Sequence, residues 1–383
     1  MNDKPSENDA ESAAEAELQA LSALDEAEAA LAAESSGSAS RRSLRRRLLQ
    51  RRQREVCIDV YDGYGTTETL RISGRVYFKR RDKVSEADDT RFRNLVNTSR
   101  QFMTYDARQV WVQVTLGAEH QAEVCTDDHG IFEVMLSGLG DLAGGIYPVA
   151  VQLAEGNQRR ISAEVGQGHF IVHPADSDRV GIISDIDDTI LLTEATRKVR
   201  MLKNIFLKNP LTQGAIPGMS EIYRAIHYGP EGDGYDATHY VSSSPAHLYR
   251  RISHFLGHEA FPAGSIDLKT VRLRNRGQST DSLFDHQHYK YGRIQRILET
   301  FPRRRFVLFG DSGEHDSAIY RRISQRYPDQ ILAVYIHNVT EADPFHSHYQ
   351  GQMLFSSIEK VRRDLLQRGL IYPETLEQPA DDF

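Results

Sequence analysis

Apolar and polar positions follow two different patterns along the chain, and the pattern changes near residue 175. From Val56 to about Pro174, apolar positions mostly alternate with polar ones, and Val, Ile, Tyr and Phe are frequent. A period of two is typical of half-buried strands, and here it recurs in about eight short runs separated by turn residues. We therefore expect an all-β, sandwich-like domain over residues 55–175.

The second half of the chain alternates apolar runs with amphipathic segments. The runs that predict strands are VGIISDID, THYVSSS, SIDLKT, RFVLFGDS and ILAVYIHNV. The segments with a period of 3.6 that predict helices are PGMSEIYRAIHYG, PAHLYRRISHFLGH, HYKYGRIQRILETF, HDSAIYRRISQRY and SIEKVRRDLLQRG. Strands that are apolar on both faces and alternate with helices form a parallel sheet covered on both sides. We expect a doubly wound α/β domain over residues 176–375, with its ligands beyond the carboxyl ends of the strands.

The two ends of the chain show neither the strand pattern nor the alternation of strands and helices. Residues 1–40 are rich in Ala, Glu and Ser, and residues 41–54 hold eight arginines around three leucines. We expect residues 1–54 to be a disordered tail, first acidic and then basic, and residues 376–383 to be a short C-terminal tail. The basic strip at 41–54 has three interpretations: a solvated linker, a nucleic-acid arm, or a strip that contacts anionic membrane.

The composition argues against disulfide-rich, membrane-spanning and secreted proteins. The chain has 383 residues, is 39% hydrophobic and contains two cysteines, so it can fill the cores of two or three domains and has no disulfide framework. No apolar run is long enough to span a bilayer, and the acidic N-terminus does not resemble a signal peptide. These features predict a cytoplasmic protein, peripheral at membrane through residues 41–54. The net charge is −7, but residues 1–40 hold ten Asp or Glu and one Lys, so the rest of the chain carries about +2, which does not favour nucleic acid as a partner.

Carboxylates follow two of the predicted strands at their carboxyl ends. The first strand is followed by Asp185, Asp187, Asp188 and Thr189, and the fourth by a segment that begins Gly310-Asp311. Asp185 and Asp187 point to the same side of a strand, so their repulsion calls for a cation or a shared proton. A hard divalent ion is the obvious partner, whereas a turn or helix cap is the alternative. We interpret Asp188 as such a cap, and Gly310 as a point where backbone approaches a ligand closely.

Hydroxyl groups and one lysine occupy neighbouring strand ends. Ser242, Ser243 and Ser244 precede a helix predicted from Pro245, a position where hydroxyl and backbone N–H groups bind phosphate. Lys290 opens an amphipathic helix. Taken singly, the serines fit an ordinary helix cap and Lys290 a solvated side chain. Taken together with the acids, they place metal ligands and anion ligands at one edge of a parallel sheet.

In combination, these motifs resemble the haloacid dehalogenase superfamily of phosphatases. From about Val180 to Ile371 the sequence is similar to the actin-patch-type phosphatidate phosphatase catalytic domain family. The segments that carry this similarity are GIISDIDDTI, HYVSSSPAHLY, PGMSEIYRA and ILETFPRRRFVLFGDSGEHDSAIY. Where family members have Asn in YVSNSP, this chain has Ser243. The resemblance implies a haloacid-dehalogenase-like fold that requires Mg²⁺.

The resemblance also assigns roles to individual residues. It makes Asp185 the nucleophile and Asp187 the general acid and base, with Ser242, Ser243 and Lys290 binding phosphate. The residues it implies for Mg²⁺ are Asp185, Asp187 through its backbone carbonyl, and Asp311. It implies that Asp316 holds a metal-bound water or Lys290, and that Thr189 lies beside the reacting groups.

The expected function is that of a magnesium-dependent phosphatase. The favoured reaction converts phosphatidate to diacylglycerol and phosphate through an aspartyl-phosphate intermediate. Two alternatives stay open: hydrolysis of another phosphomonoester, such as a sugar or protein phosphate, and a non-catalytic protein in which the β-domain binds or scaffolds a partner.

Overall fold

A computed structural model describes most of the two predicted domains. The described residues are 55–78, 105–117, 120–140, 142–155, 162–174, 176–190, 215–229, 237–269 and 282–377. The predicted tail at 1–54, with its basic strip at 41–54, and the residues after 377 lie outside this part of the chain. None of the described helices is long and apolar enough to cross a membrane.

The first domain is built from nine described strands. They are β1 (Glu55–Gly65), β2 (Thr69–Phe78), β3 (Tyr105–Asp106), β4 (Trp111–Leu116), β5 (His120–Cys125), β6 (Ile131–Ser137), β7 (Gly145–Leu153), β8 (Ser162–Ala163) and β9 (Gly166–Val172). The sheet order is β3-β2-β1-β9-β7-β4-β5, and β6 also pairs with β2 and β8 with β1. Most pairs are antiparallel, but β1 runs parallel to β8 and β9.

Alternate side chains of these strands fill one hydrophobic core. Ile58 and Val60 of β1, Ile72 of β2 and Val112 of β4 belong to it, and Phe170 of β9 is fully buried there. The period of two in the sequence therefore corresponds to strands with one buried face. The described strands form one continuous hydrogen-bonded sheet around this core, and their description as a sandwich stays a prediction.

The second domain is a parallel sheet with helices on both faces. Its strands are β10 (Val180–Ser184), β11 (Thr238–Pro245), β12 (Ser265–Lys269), β13 (Arg305–Asp311), β14 (Ile331–His337) and β15 (Met353–Phe355). Its described helices are α1 (Met219–Tyr228), α2 (Tyr249–His258), α3 (Ser282–Thr300), α4 (Asp316–Arg326) and α5 (Ile358–Gln367). The strand order is β12-β11-β10-β13-β14-β15, and every pair is parallel.

Successive residues of the central strands enter two different cores. Ile182 and Val307 pack with α1, α2 and α5 on one face, whereas Ile183 and Leu308 pack with α3 and α4 on the other. This confirms the predicted α/β domain with a parallel sheet. The strand order reverses between β10 and β13, which is where a doubly wound sheet leaves a crevice for ligands.

Candidate active site

The crevice between β10 and β13 holds a group of buried carboxylates. Asp185 directly follows β10, Asp311 ends β13, and Asp316 begins α4. The Asp185 backbone N–H donates to the Phe309 carbonyl at 2.9 Å, which fixes the end of β10 against β13. One carboxylate oxygen from each of Asp185, Asp311 and Asp316 lies within 4.8 Å of the other two, and all three residues are fully buried.

Lys290 supplies a positive charge to this group. Its Nζ lies 2.8 Å from Asp185 Oδ1, 2.5 Å from Asp316 Oδ1 and 3.6 Å from Glu314 Oε2. Burial opposes the charge on the amine, but Asp185, Asp316 and Glu314 outweigh that effect and raise the pKa of Lys290 well above its ordinary value. Lys290 is therefore an ammonium group held between two aspartates.

Asp187 faces hydroxyl groups instead of this lysine. Its Oδ2 accepts hydrogen bonds from Ser242 Oγ at 3.0 Å and from Ser244 Oγ at 2.7 Å. Burial raises the pKa of Asp187, and the charge of Glu314 raises it further, while the two serine hydrogen bonds act in the opposite direction. A raised pKa suits a carboxyl group that must give up a proton near neutral pH.

Asp311 has one satisfied oxygen and one unsatisfied oxygen. Its Oδ1 accepts from the backbone N–H groups of Gly313 and Glu314 at 2.5 and 2.9 Å. Its Oδ2 is buried and has no hydrogen-bond partner among the described residues. Burial, together with the charges of Asp316 and Glu314, raises the pKa of Asp311 to about 8.

This donor set fits a hard divalent cation. Every candidate ligand atom is an oxygen, and Asp311 Oδ2 is an unpaired acceptor that lies among further carboxylate oxygens. Burial and mutual repulsion raise the pKa values of Asp185 and Asp316 as well, so a bound cation would relieve a cost that Lys290 alone does not cover. The cluster contains the Asp316 side chain, whereas the predicted metal contact of Asp187 runs through its backbone carbonyl.

Most of the predicted site residues come together in this crevice. Thr189 Oγ1 lies 3.4 Å from Asp185 Oδ2, and Asp316 contacts Lys290 as the resemblance implied. Ser243 is partly exposed, between the buried Ser242 and Ser244. The sequence placed Ser244 with Ser242 and Ser243 at a phosphate-binding position but did not predict its hydrogen bond to Asp187, although alternation along β11 puts it on the same side as Ser242. Glu314, in the loop after Asp311, was given no role.

The structure bears on the sequence-based interpretations of Gly310 and Asp188. A Cβ on Gly310 would lie 2.7 Å from both Asp316 Oδ2 and Tyr320 Cε2, so the absence of a side chain there allows helix α4 to pack closely; the approach of a ligand to this backbone stays a prediction. Asp188 adopts a φ of 55°, and its carbonyl accepts from His337 Nδ1 at 2.7 Å. It lies in the turn after β10 and outside the carboxylate cluster, as its interpretation as a turn residue requires.

The fold and this crevice define a class of protein: a doubly wound α/β domain with an oxygen-rich, acidic site at the point where its strand order reverses. Residues 180–338 match the family described as "Phosphatidate phosphatase APP1, catalytic domain". This match confirms the resemblance to that catalytic-domain family seen in the sequence. The wider placement in the haloacid dehalogenase superfamily stays a prediction.

Two curated relatives each match about two fifths of the chain. "Phosphatidate phosphatase APP1" of Saccharomyces cerevisiae is 35% identical over 158 residues, which is 41% of this chain and 25% of that protein. An uncharacterized protein of Schizosaccharomyces pombe is 29% identical over 166 residues, which is 43% of this chain and 26% of that protein. The chain thus matches about a quarter of the length of each relative.

Solved structures add little to this assignment. A carbohydrate acetylesterase from Xanthomonas citri is 10% identical with a TM-score of 0.26, over 72% of this chain and 65% of that chain. A similarity at this level carries no argument about fold or function.

Proposed function

We propose that this protein is a phosphatase that hydrolyses a phosphomonoester, and that phosphatidate is its substrate. The observation that carries the proposal is the buried Asp185 carboxylate beside Lys290, within a segment that matches a phosphatase catalytic-domain family. Asp187, Ser242, Asp311 and Asp316 complete the set. A non-catalytic scaffold would have no need to keep this costly group of buried charges intact.

Asp185 is the nucleophile in the proposed reaction. One of its carboxylate oxygens attacks phosphorus, a bond forms between that oxygen and phosphorus, and the bond from phosphorus to the leaving alkoxide breaks. The product of this step is an aspartyl-phosphate. Splitting the hydrolysis into two displacements lowers the barrier of each. The Lys290 ammonium offsets the repulsion between a carboxylate and an incoming phosphate dianion.

Asp187 moves the proton in both displacements. Its carboxyl group protonates the leaving oxygen in the first step and accepts a proton from water in the second, when water attacks phosphorus and the bond to Asp185 breaks. In the described structure its Oδ2 accepts from Ser242 and Ser244. We propose that Ser242 and Ser243 turn toward the phosphate when it binds, which leaves Ser244 to orient Asp187.

Mg²⁺ is the proposed cofactor. The residues that would hold it are Asp185, Asp311 and Asp316 from the carboxylate cluster, with the backbone carbonyl of Asp187 as the family resemblance implies. When bound, the ion supplies positive charge that neutralises the phosphate and the carboxylates around it.

The phosphatase chemistry is tested with a soluble aryl phosphate. We expect turnover in the presence of Mg²⁺ and loss of turnover after chelation with EDTA, restored by adding Mg²⁺ back. Full activity in EDTA would contradict the proposed cofactor. No turnover under any metal condition would instead favour the scaffold alternative.

The substrate is tested with vesicles. The name of the yeast relative supports phosphatidate, but that protein is about four times as long as the matched segment, so the substrate is a proposal. We expect release of inorganic phosphate from phosphatidate in mixed vesicles. Turnover of sugar phosphates or phosphopeptides with none on vesicles would replace the lipid substrate and keep the chemistry.

We propose that the enzyme is cytoplasmic and that residues 41–54 contact the membrane that holds its lipid substrate. Each arginine near an anionic surface contributes about 1 kcal/mol at low salt. Deleting residues 1–54 should weaken co-sedimentation with phosphatidate vesicles and leave aryl phosphate turnover unchanged. Deleting residues 1–40 should strengthen co-sedimentation, because the acidic tail competes with the membrane for the basic strip. Equal sedimentation of all three proteins would favour a solvated linker. Tight binding of residues 41–383 to duplex DNA would favour a nucleic-acid arm.

A further inference from the structure

Strand β1 joins the two domains through a pair of tyrosines. Tyr61 belongs to the hydrophobic core on one face of the parallel sheet, and Tyr64 belongs to the core on the opposite face. Both are 5% exposed. The pairing of β1 with β2 is irregular between these two residues. The β-domain therefore inserts side chains into both cores of the catalytic domain and does not merely touch its surface.

Tyr61 contacts the segment that follows the serines of the site. Its hydroxyl donates to the Ala246 carbonyl at 3.1 Å, and its ring stacks on Tyr249 with centroids 4.3 Å apart. The Tyr249 hydroxyl in turn accepts from the Asp62 backbone N–H at 2.8 Å. Ala246 lies two residues after Ser244, whose hydroxyl contacts Asp187. The residue that follows β11, the strand that carries the serines, is thus held by β1.

A second contact reaches the helix that carries Lys290. Glu133 of β6 accepts from Arg293 at 3.4 Å and from Arg296 at 3.0 Å, both on α3. Arg293 also lies 3.3 Å from Asp267 of β12. Arg293 is three residues after Lys290, so the two are about one helical turn apart. The part of α3 that follows Lys290 is therefore held by a carboxylate from the β-domain.

We propose that the β-domain is part of the phosphate-binding apparatus: Tyr61 positions the serine segment, and Glu133 positions Lys290. The inference rests on the proposed phosphatase function. Neither residue reaches the phosphate, so both are positioning residues that act through Ala246 and through Arg293 with Arg296. Phosphate ligands must be held within a fraction of an ångström, and a displacement near 1 Å costs about 100-fold in rate.

A purely structural interface would behave differently. Weakening it would lower the stability of the protein, but the folded molecules would bind phosphate as before. Positioning instead requires that phosphate affinity falls in protein that is still folded. Affinity for inorganic phosphate, measured by titration calorimetry without turnover, separates the two cases.

The test uses single-atom changes in the full-length chain. Tyr61→Phe removes the hydrogen bond to Ala246 and keeps the stacked ring. Glu133→Gln removes the charge that faces Arg293 and Arg296 of α3 and Arg71 of β2. Tyr147→Phe is a matched control, because its hydroxyl donates to the Ala143 carbonyl within the β-domain. Glu123→Gln is the charge control, because Glu123 is exposed on β5.

We expect Tyr61→Phe and Glu133→Gln each to weaken inorganic phosphate binding, and to raise KM for an aryl phosphate, by about 10-fold, with a smaller fall in kcat. The double variant should multiply the two effects because the contacts are separate. Both controls should equal wild type. Unchanged phosphate affinity in folded variants would overturn the proposal.

Two further outcomes are informative. If Tyr61→Phe does not fold, Tyr249→Phe removes the neighbouring hydrogen bond to Asp62 and is read in the same way. If wild type neither binds inorganic phosphate nor hydrolyses an aryl phosphate, the proposed function and the positioning role both fail. If wild type does both and the variants match it, the positioning role alone fails.

Discussion

Asp185 and Asp187 are separated by one residue, yet their carboxyl groups have different neighbours. Asp185 faces the Lys290 ammonium at 2.8 Å, whereas Asp187 accepts hydrogen bonds from two serine hydroxyls. Burial raises the pKa of both groups, and it raises that of Asp185 well above its ordinary value although the charge of Lys290 opposes the rise; at Asp187 the two serine hydrogen bonds oppose it. Different surroundings allow two adjacent acids to serve as nucleophile and as proton carrier.

Asp185→Asn should lower the rate of aryl phosphate hydrolysis at least ~10³-fold, because an amide cannot attack phosphorus. The fold should persist, since Lys290 keeps Asp316 as a partner at 2.5 Å. Steady-state kinetics and circular dichroism measure the two effects. Asp188→Asn is the control and should keep most activity, because Asn tolerates the positive φ found there. An Asp185→Asn enzyme with most of its activity would mean that another carboxylate attacks.

Asp187→Asn should affect substrates unequally. An aryl oxygen leaves as a stable anion, while an alkyl oxygen such as that of a glycerol lipid needs a proton. We expect a loss on an alkyl phosphate at least about 10-fold greater than the loss on an activated aryl phosphate. The comparison of kcat/KM for the two substrates measures it. Equal losses would argue against proton transfer by Asp187.

The site could be predicted from the sequence wherever its residues lie at the ends of apolar strands. Asp185, Ser242 and Asp311 were found because parallel strands bring their carboxyl ends to one edge. Lys290 follows no strand and gave no such signal alone; it was included as an anion ligand only in combination with the acids and serines. The sequence placed it at the start of a helix, but it lies inside α3, which begins at Ser282. The contact between Asp187 and Ser244 depends on which way each strand end turns, which local periodicity does not specify.

Gly310 and Gly292 differ in their surroundings, although both lie near the site. A Cβ at Gly310 meets Asp316 and Tyr320 of α4 at 2.7 Å, whereas a Cβ at Gly292 meets nothing within 4 Å. Gly310→Ala should destabilise the protein by about 1–3 kcal/mol by overpacking and should displace Asp316. Gly292→Ala, inside α3, should stabilise it by about 0.5–1 kcal/mol. Urea unfolding measures both, and a Gly310→Ala protein as stable as wild type would show that α4 shifts at no cost.

Strands and helices were predicted well because each repeats a local pattern several times. The insertion of Tyr61 into the core of the other domain was not predicted, because its partner Ala246 lies 185 residues away. The alternation of apolar and polar residues in β1 does not show whether a tyrosine packs into the core of its own domain or into a core of the other domain. The domain limits at 55–175 and 176–375 therefore describe the pattern and do not reveal this shared packing.

The charges between the domains make the stability of the whole molecule depend on pH. Burial alone would raise the pKa of Glu133, but Arg293, Arg71 and Arg296 outweigh it and lower the pKa below its ordinary value of 4.5. A lowered pKa means that the ionised carboxylate stabilises the fold above about pH 4.5, and that this contribution is lost as the pH falls through the folded-state pKa.

Glu133→Gln should therefore lower the free energy of unfolding at pH 7 by about 1 kcal/mol or less, because the group is a third exposed and partly screened. The difference from wild type should shrink as the pH falls below 4.5. Urea unfolding of both proteins across this range tests the sign. A difference that stays constant with pH would mean that the charge of Glu133 is not responsible.

Strand β12 ends the parallel sheet on one side, and β1 lies against it: Gly63 and Tyr64 line the same small cleft as Ser265, Ile266 and Asp267. An open edge strand is a template for pairing with another chain. We therefore expect β1, which lies against β12, to limit self-association. Residues 176–383 produced alone would present this edge together with the sites left by Tyr61 and Tyr64. Light scattering should show that this fragment aggregates at concentrations where the full chain does not; equal behaviour would mean that β12 needs no cover. If the fragment does aggregate, the β-domain has a second function, which is to keep the catalytic domain soluble.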